Sequence, residues 1–381
     1  MNNKTFLILG GYGNVGRVLA RLLLQETNVN LVLAGRNLES AKATADQLNT
    51  LFGGNRVAGI YADASDVENL RHIFKGVDFV VVASSTARYT SEIATAALEE
   101  CCDYMDIHFG PKVYATLHSL SEVIKNSERC FITGGGFHPG LPAAIIRYAG
   151  QYFDRMEKAV VGGVINVEFR NYEISESTRI EFVEEVVDFQ PVFYKNGEWR
   201  KMNMMSTKDL IVMDFEGDFG KRQCTPMFFE ELRKIPVIFP TLNQTGFYMA
   251  GFNWFADYFV FPFIFISLKL FPKILIKPMS KLMEWSLAAF SKPPYGIVIK
   301  LEASGEKDNK VKHVEIQLSH KDGSCFTAIP VVACLLQYLD GSIRKPGLWL
   351  QANIVEPNQF IKDMKRMGID VKVQDKSSNG R

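Results

Sequence analysis

Several things are scarce in this sequence, and each shortage removes a class of function. Only six of 381 residues are cysteine (101, 102, 130, 224, 325 and 334), and none forms a C-x-x-C pair. With no metal-ligand spacing either, a zinc module and a disulfide-stapled secreted domain are both disfavoured. The usage suits a reducing cytosol, with Cys101 and Cys102 read as core thiols at a helix end. Net charge is nearly absent: 43 Lys and Arg against 42 Asp and Glu leave +1. No basic surplus therefore points to nucleic acid. Nor is there an uninterrupted apolar run of about 20 residues, the length a membrane span needs. Residues 1–5 are polar and lead straight into an apolar strand, unlike a secretory leader. The polar tail after Val373 is expected to fray.

What is present begins early. Thr5-Phe-Leu-Ile-Leu9 reads as a buried strand, the chain turns at Gly10-Gly11, and Val15, Val18, Leu19, Leu22 and Leu23 mark one helical face. Gly11, Gly13 and Gly16 make G-x-G-x-x-G in that strand–turn–helix setting. Gly11 is assigned the tight turn, Gly13 the approach of backbone N–H groups to a pyrophosphate, and Gly16 the close packing of helix on strand. The positive end of the helix favours phosphate charge, so Gly11, Tyr12, Gly13, Asn14, Val15 and Gly16 are the candidate diphosphate contacts. The next strand ends in Gly35-Arg36-Asn37, and no acid lies between Glu26 and Glu39. An NAD site usually offers a carboxylate there, whereas a guanidinium matches the 2′-phosphate of NADP. Arg36 and Asn37 are therefore predicted to hold the adenosine end of NADP(H).

A chain of 381 residues that is 47% hydrophobic and 22% charged suits two folded domains. Residues 1–140 alternate strands (near 5–10, 30–35, 56–61, 78–83, 103–106 and 130–133) with helices (38–51, 66–75, 88–100 and 112–126). That predicts the α/β class, a Rossmann doubly wound parallel sheet. Ligands bind such sheets at the carboxyl ends of strands. Asp63, Ala83, Ser84 and Ser85 join the candidate cofactor contacts for that reason. Asp63 reads equally well as a turn cap before the helix at Asp66. Residues 141–321 predict an inserted α+β domain for substrate and dimerisation, containing the hydrophobic segment 247–290 and few long helical stripes. A hairpin is expected there from 296–303 and 311–318, across a turn at 305–310. A helix over 327–339, within 322–373, is expected to rejoin the first domain.

Four segments resemble the saccharopine dehydrogenase-like family of NAD(P)-dependent oxidoreductases. They are Gly10-Gly-Tyr-Gly-Asn-Val-Gly-Arg17, Cys102-Asp-Tyr-Met-Asp106, Gly135-Gly-Phe-His-Pro-Gly-Leu141, and the run Thr327-Ala-Ile-Pro330, Lys345-Pro-Gly347, Pro357-Asn-Gln-Phe360 and Gly368-Ile369. The resemblance implies a substrate domain between the Rossmann domain and a returning C-terminal helix. It also implies hydride transfer between a nicotinamide and a carbon–nitrogen bond, often of an amino-acid adduct, while some relatives act on lipid-like enoyl substrates. A substrate with several carboxylates calls for clustered arginines. Arg170, Arg179, Arg200, Arg222 and Arg233 are scattered, so the substrate does not carry over from the family name.

Hydride transfer needs orientation and one proton donor or acceptor. His138 and His108 lie where strand ends face a nicotinamide, and an ordinary histidine titrates near neutral pH. Asp106 is read as orienting one of these rings or capping a loop. The bland alternatives are that His138 shapes a Pro-Gly turn and that His108 bonds backbone. No metal is expected.

Between Asp257 and Glu284 there is no carboxylate, only an aromatic-rich run, Tyr258–Leu268, and lysines at 269, 273, 277 and 281. Pro272 and Pro278 would break or kink a continuous helix. The run is too short to span a bilayer, which leaves a core or dimer face, or a peripheral membrane patch through 258–292. The expected protein is a cytoplasmic or peripherally attached homodimer acting on a small molecule. A dinucleotide-binding regulator without turnover is the alternative from another class.

Overall fold

The apolar runs of the first 135 residues become parallel strands, buried on both faces at the centre of the sheet and partly exposed at the β3 edge. In the computed structural model, which describes residues 3–171, 174–203 and 207–376, these are β1 (Thr5–Leu9), β2 (Asn30–Gly35), β3 (Val57–Tyr61), β4 (Phe79–Val82), β5 (Asp103–Asp106) and β6 (Cys130–Thr133). A seventh strand, Gly347–Leu350, pairs with β6. From the β6 edge inward the order is Gly347–Leu350, β6, β5, β4, β1, β2, β3, all pairs being parallel. The order reverses direction beside β1, which makes the space at the carboxyl ends of β1 and β4 the topological switch point. Phe6, Leu7, Ile8 and Phe79 have no exposed surface. Phe6 stacks on Phe79 at 5.0 Å, and Tyr338 meets Phe79 edge-on at 4.6 Å.

This Rossmann-like unit comprises the chain up to Leu141 together with Ser324–Met367. Its returning helix starts at Gly323 rather than 327 and runs to Leu339. The single helix expected over 112–126 is two, Pro111–Ser119 and Ser121–Asn126. Cys101 is exposed with a φ of 57°, so only its neighbour Cys102 is a core thiol.

The second unit, Pro142–Gly323 and the chain from Gly368, is built on a nine-stranded mixed sheet. Arg155–Asn166 lies at its centre, parallel to Gln244–Ala250 and antiparallel to Gly296–Lys307. The hairpin is longer than expected: Gly296–Lys307 pairs with Lys310–His320 around a two-residue turn. Asp308 and Asn309 both take positive φ, as a tight hairpin turn demands. Asp370–Asp375 then pairs with Lys310–His320, so the return to the first unit ends at Met367 and not at 373. The tail is strand through Asp375, and residues 377–381 lie outside the described ones. This unit also holds more helix than expected, namely Glu176–Val187, Phe261–Leu270 and Pro272–Phe290. Pro272 opens the last of these, and Pro278 lies inside it.

Candidate cofactor and active site

Glycine is required around the first turn for steric reasons that differ by position. Gly10, not Gly11, carries the left-handed conformation, with φ 82°. A Cβ at Gly10 would also lie 2.8 Å from the Ala83 carbonyl oxygen and from Ser84 Cβ. Gly11 is confined differently, since its Cβ would meet Leu33 Cβ at 2.9 Å. A Cβ on Gly16 would overlap the Gly10 carbonyl oxygen, so the helix Asn14–Glu26 could not sit this close to β1 with any other residue there. Gly13 is the N-cap of that helix and supplies no side-chain cap. The first N–H groups of a helix have no intrahelical acceptor. With Asn14, Val15 and Gly16 in the first turn, this end presents donors and a positive dipole to an anion.

The end of β2 is assembled around Tyr12. Its hydroxyl accepts a hydrogen bond from Asn37 N–H at 3.0 Å, its ring covers Gly35, and its carbonyl accepts from Arg17 Nε at 2.6 Å. Any Cβ at Gly35 would come within 2.5 Å of that ring. Asn37 has a structural task as well, because its side chain caps the helix Leu38–Phe52 by accepting from Ser40 N–H. Arg36 is exposed beside it. Asp63 lies near enough for the Arg36 charge to help hold its carboxyl below the usual range, although hydrogen bonds from Ser65 do more. Those bonds, from Ser65 N–H and Oγ at 2.9 and 2.8 Å, give Asp63 the turn-capping role. Asp66 caps the following helix, Val67–Phe74.

At the carboxyl ends of β4, β5 and β6 a second set of residues is tied together. Asp106 has no exposed surface. Its Oδ1 accepts from His108 N–H at 3.1 Å, Thr133 Oγ1 at 3.0 Å and Gly134 N–H at 3.3 Å. Its Oδ2 is buried without a hydrogen-bond partner, and burial raises its carboxyl above the usual value. His108 Nε2 lies 2.9 Å from the Ser84 carbonyl oxygen. A carbonyl only accepts, so this nitrogen carries the proton, and the buried Nδ1 has no partner. His108 thus bonds backbone and ties the segment after β4 to β5. Ser84 Oγ pairs with Thr86 Oγ1 at 3.0 Å, while Ala83 and Ser85 flank it, half-buried.

The loop after β6 depends on glycine and on one residue far along the chain. Gly134, Gly136 and Gly140 have φ of 66°, 116° and 118°. Fully buried Gln351, immediately after the seventh strand, accepts from Gly136 N–H and donates to the Gly136 and Gly140 carbonyls. His138 sits in this loop, half-buried and stacked on Phe137 at 4.1 Å. Burial lowers its imidazole to about 4, so it is uncharged at neutral pH. That corrects the expectation of a histidine titrating near neutrality. Gln351 and Thr133 are the participants that sequence patterning missed. Asp103, at the opposite end of β5, binds Tyr338 Oη at 2.5 Å and Cys130 N–H at 2.8 Å, far from the ligand end of the strand.

These features fit a bound dinucleotide: a glycine cradle that a Cβ would fill, an uncapped helix start, and an arginine where an NAD site carries an acid. The comparisons agree. The family model described as the saccharopine dehydrogenase NADP binding domain matches residues 6–132. The chain carries a saccharopine dehydrogenase NADP binding domain. Its cofactor is NADP(H), and its coarse class is that of an oxidoreductase. Apo saccharopine dehydrogenase (L-Glu forming) from Saccharomyces cerevisiae superposes with a TM-score of 0.69 at 14% identity, covering 98% of this chain and 100% of that one. That likeness shows the saccharopine dehydrogenase fold along nearly the whole chain. A myo-inositol dehydrogenase from Corynebacterium glutamicum is also similar, at 10% identity over 96% of this chain and 95% of that one, with a TM-score of 0.42. No match is found among curated proteins.

In the second unit, the five arginines of the sequence reading are all engaged. Arg179 pairs with Glu284 at 3.2 Å, Arg200 with Glu198 at 3.5 Å and Arg233 with Glu230 at 2.5 Å. Arg170 and Arg222 donate to the carbonyls of Ala288 and Phe219. A cleft of about 550 Å³ in this unit is lined by apolar Val164, Phe219, Phe252, Trp254 and Phe290 and by polar Asn166, Arg222, Asn253 and Lys292. Among the described residues no group of three or more His, Cys, Asp and Glu is placed to hold a metal.

Proposed function

We propose that this protein transfers hydride between NADP(H) and a weakly charged, lipid-like substrate. The single observation that carries the cofactor half is the glycine cradle of β1 joined to Arg36 at the end of β2, where the strand offers no carboxylate of its own. NADP(H), when bound, supplies or accepts the hydride. The N–H groups of the first helical turn would hold the diphosphate, and the Arg36 guanidinium the 2′-phosphate. Tyr12 would wall the adenosine side, and Ala83, Ser84 and Ser85 the nicotinamide side. His108 is a positioning residue, its Nε2 proton committed to the Ser84 carbonyl. Neutral His138 is the candidate to give or take a hydrogen bond at the substrate. The decisive measurement is fluorescence titration with NADPH and NADH. Wild type should prefer NADPH by tenfold or more, and Arg36→Ala should lose most of that preference, about 1.5–3 kcal/mol for a charge-assisted contact. Equal affinities, unchanged in the variant, would remove Arg36 from the site.

The engagement of all five arginines, which leaves no cluster for a substrate with several carboxylates, favours an enoyl-type substrate over an amino-acid adduct with its carbon–nitrogen bond. NADPH oxidation followed across a panel of acyl enoyl and imino-acid compounds tests this. Turnover confined to imino acids would reverse the substrate assignment. NADPH binding without any turnover would favour a dinucleotide-binding regulator.

A further inference from the structure

We propose that the helical segment Trp254–Phe290 is a docking face for an anionic lipid bilayer. The inference needs no enzymatic activity and stands apart from the proposed function. One side of the segment is ordinary core: Val260, Ile264 and Leu268, spaced four apart, pack with Val183, Met283 and Leu287. A helix whose inner stripe is satisfied in this way should be polar outside. Here the outer side is apolar too. Among the described residues, ten of the eighteen exposed large hydrophobic side chains fall in this segment, including Ile274 at 75% exposure, Tyr258 at 71% and Trp254 at 60%. They are not scattered. Trp254 contacts Phe259 and Phe290, and Phe290 contacts Trp285, at ring separations of 5.7–6.0 Å. A patch of this continuity marks an interaction surface.

Charge decides what covers it. Lys269 and Lys281 are exposed on the segment, and exposed Lys292 follows it. Lys277 is neutralised by Glu176 at 2.8 Å, and Lys273 lies among residues whose side chains are not described. The two acids at its borders are engaged, while the packed helix Glu176–Val187 carries Glu181, Glu184 and Glu185 besides the paired Glu176. Glu284 is paired with Arg179, and Asp257 is turned inward to accept Phe252 N–H at 3.1 Å. A second copy would set like charges against one another across a twofold axis. Anionic headgroups match the lysines, while Trp, Tyr and Phe suit the headgroup–acyl boundary. No helix among the described residues is long and apolar enough to cross a membrane, so the segment would lie in the interface plane.

Vesicle sedimentation of the full chain tests this, with phosphatidylcholine alone and with added phosphatidylglycerol. Wild type should pellet with the anionic vesicles and be released by high salt. Phe259→Ser with Phe263→Ser, and separately Lys269→Gln with Lys281→Gln, should each weaken binding by at least about tenfold. Circular dichroism identifies a variant that has lost its fold, and the lysine pair, being fully on the surface, keeps the test valid in that case. Failure of wild type to bind, or undiminished binding by both variants, overturns the proposal. So does a dimer that the phenylalanine substitutions convert to monomer without any vesicle capture.

Discussion

A single methyl group is enough to probe the nucleotide cradle. At Gly16 it would overlap the Gly10 carbonyl oxygen and approach Gly11 Cα at 2.8 Å, and both obstacles are backbone that cannot rotate away. Gly16→Ala must therefore push the helix Asn14–Glu26 off β1 or reopen the turn. Alanine favours a helix by up to about 1 kcal/mol over glycine, whereas overpacking costs about 1–3 kcal/mol, so the sum is destabilising. The expected result is a lower melting temperature together with at least tenfold weaker NADPH binding, read by differential scanning fluorimetry and titration. Wild-type values for both would show that the helix does not need its close approach. The same reasoning separates Gly10 from Gly11. Sequence spacing assigned the turn to Gly11, while the left-handed φ falls one residue earlier.

At the scale of elements, the six leading strands were legible because short, mostly apolar runs alternate with helical stretches, and β1, β4 and β6 are buried on both faces. The seventh, Gly347–Leu350, is four residues long and directly follows Lys345-Pro346, which reads as a loop. Asp370–Asp375 alternates in its side chains, but its polarity reads as tail; only pairing with Lys310–His320 makes it a strand. The hairpin turn did carry a signal, since Asp and Asn tolerate positive φ better than other residues do. Site residues follow the same division. The glycines and Arg36 announce themselves by type and spacing. Gln351 could not be read, because a buried glutamine has no pattern of its own and its partners lie more than 200 residues away. Asp106 and His108 were legible as positions, but their bonds to Thr133, Gly134 and Ser84 depend on which strands are neighbours. The outer face of Trp254–Phe290 was visible as composition, yet core and surface could be told apart only once the buried stripe was known.

For the molecule as a whole, three half-buried groups set opposing pH dependences. His138 titrates at about 4 in the fold against an ordinary 6.5. The unfolded chain then binds more protons between those values, so stability rises with pH there. Asp257 is raised by burial to about 6 from 3.8, and Glu185 to about 8 from 4.5, through burial first and then repulsion from Glu181. For both carboxyls the folded state binds more protons, so stability falls as pH climbs through each interval. Above 6.5 only Glu185 of the three still differs between folded and unfolded chains. Wild type should therefore lose stability from pH 6.5 to 8, while Glu185→Gln removes that loss. At about 1.4 kcal/mol per pH unit over the 2.5 units from 4.5 to 7, the variant should gain up to about 3 kcal/mol at pH 7 and nothing near pH 4. Denaturant melts at a series of pH values read the difference directly. A gap between variant and wild type that stays constant with pH would mean that Glu185 is solvated and ordinary. A gap opening above pH 5 and levelling near 8 is the outcome its half-buried position requires.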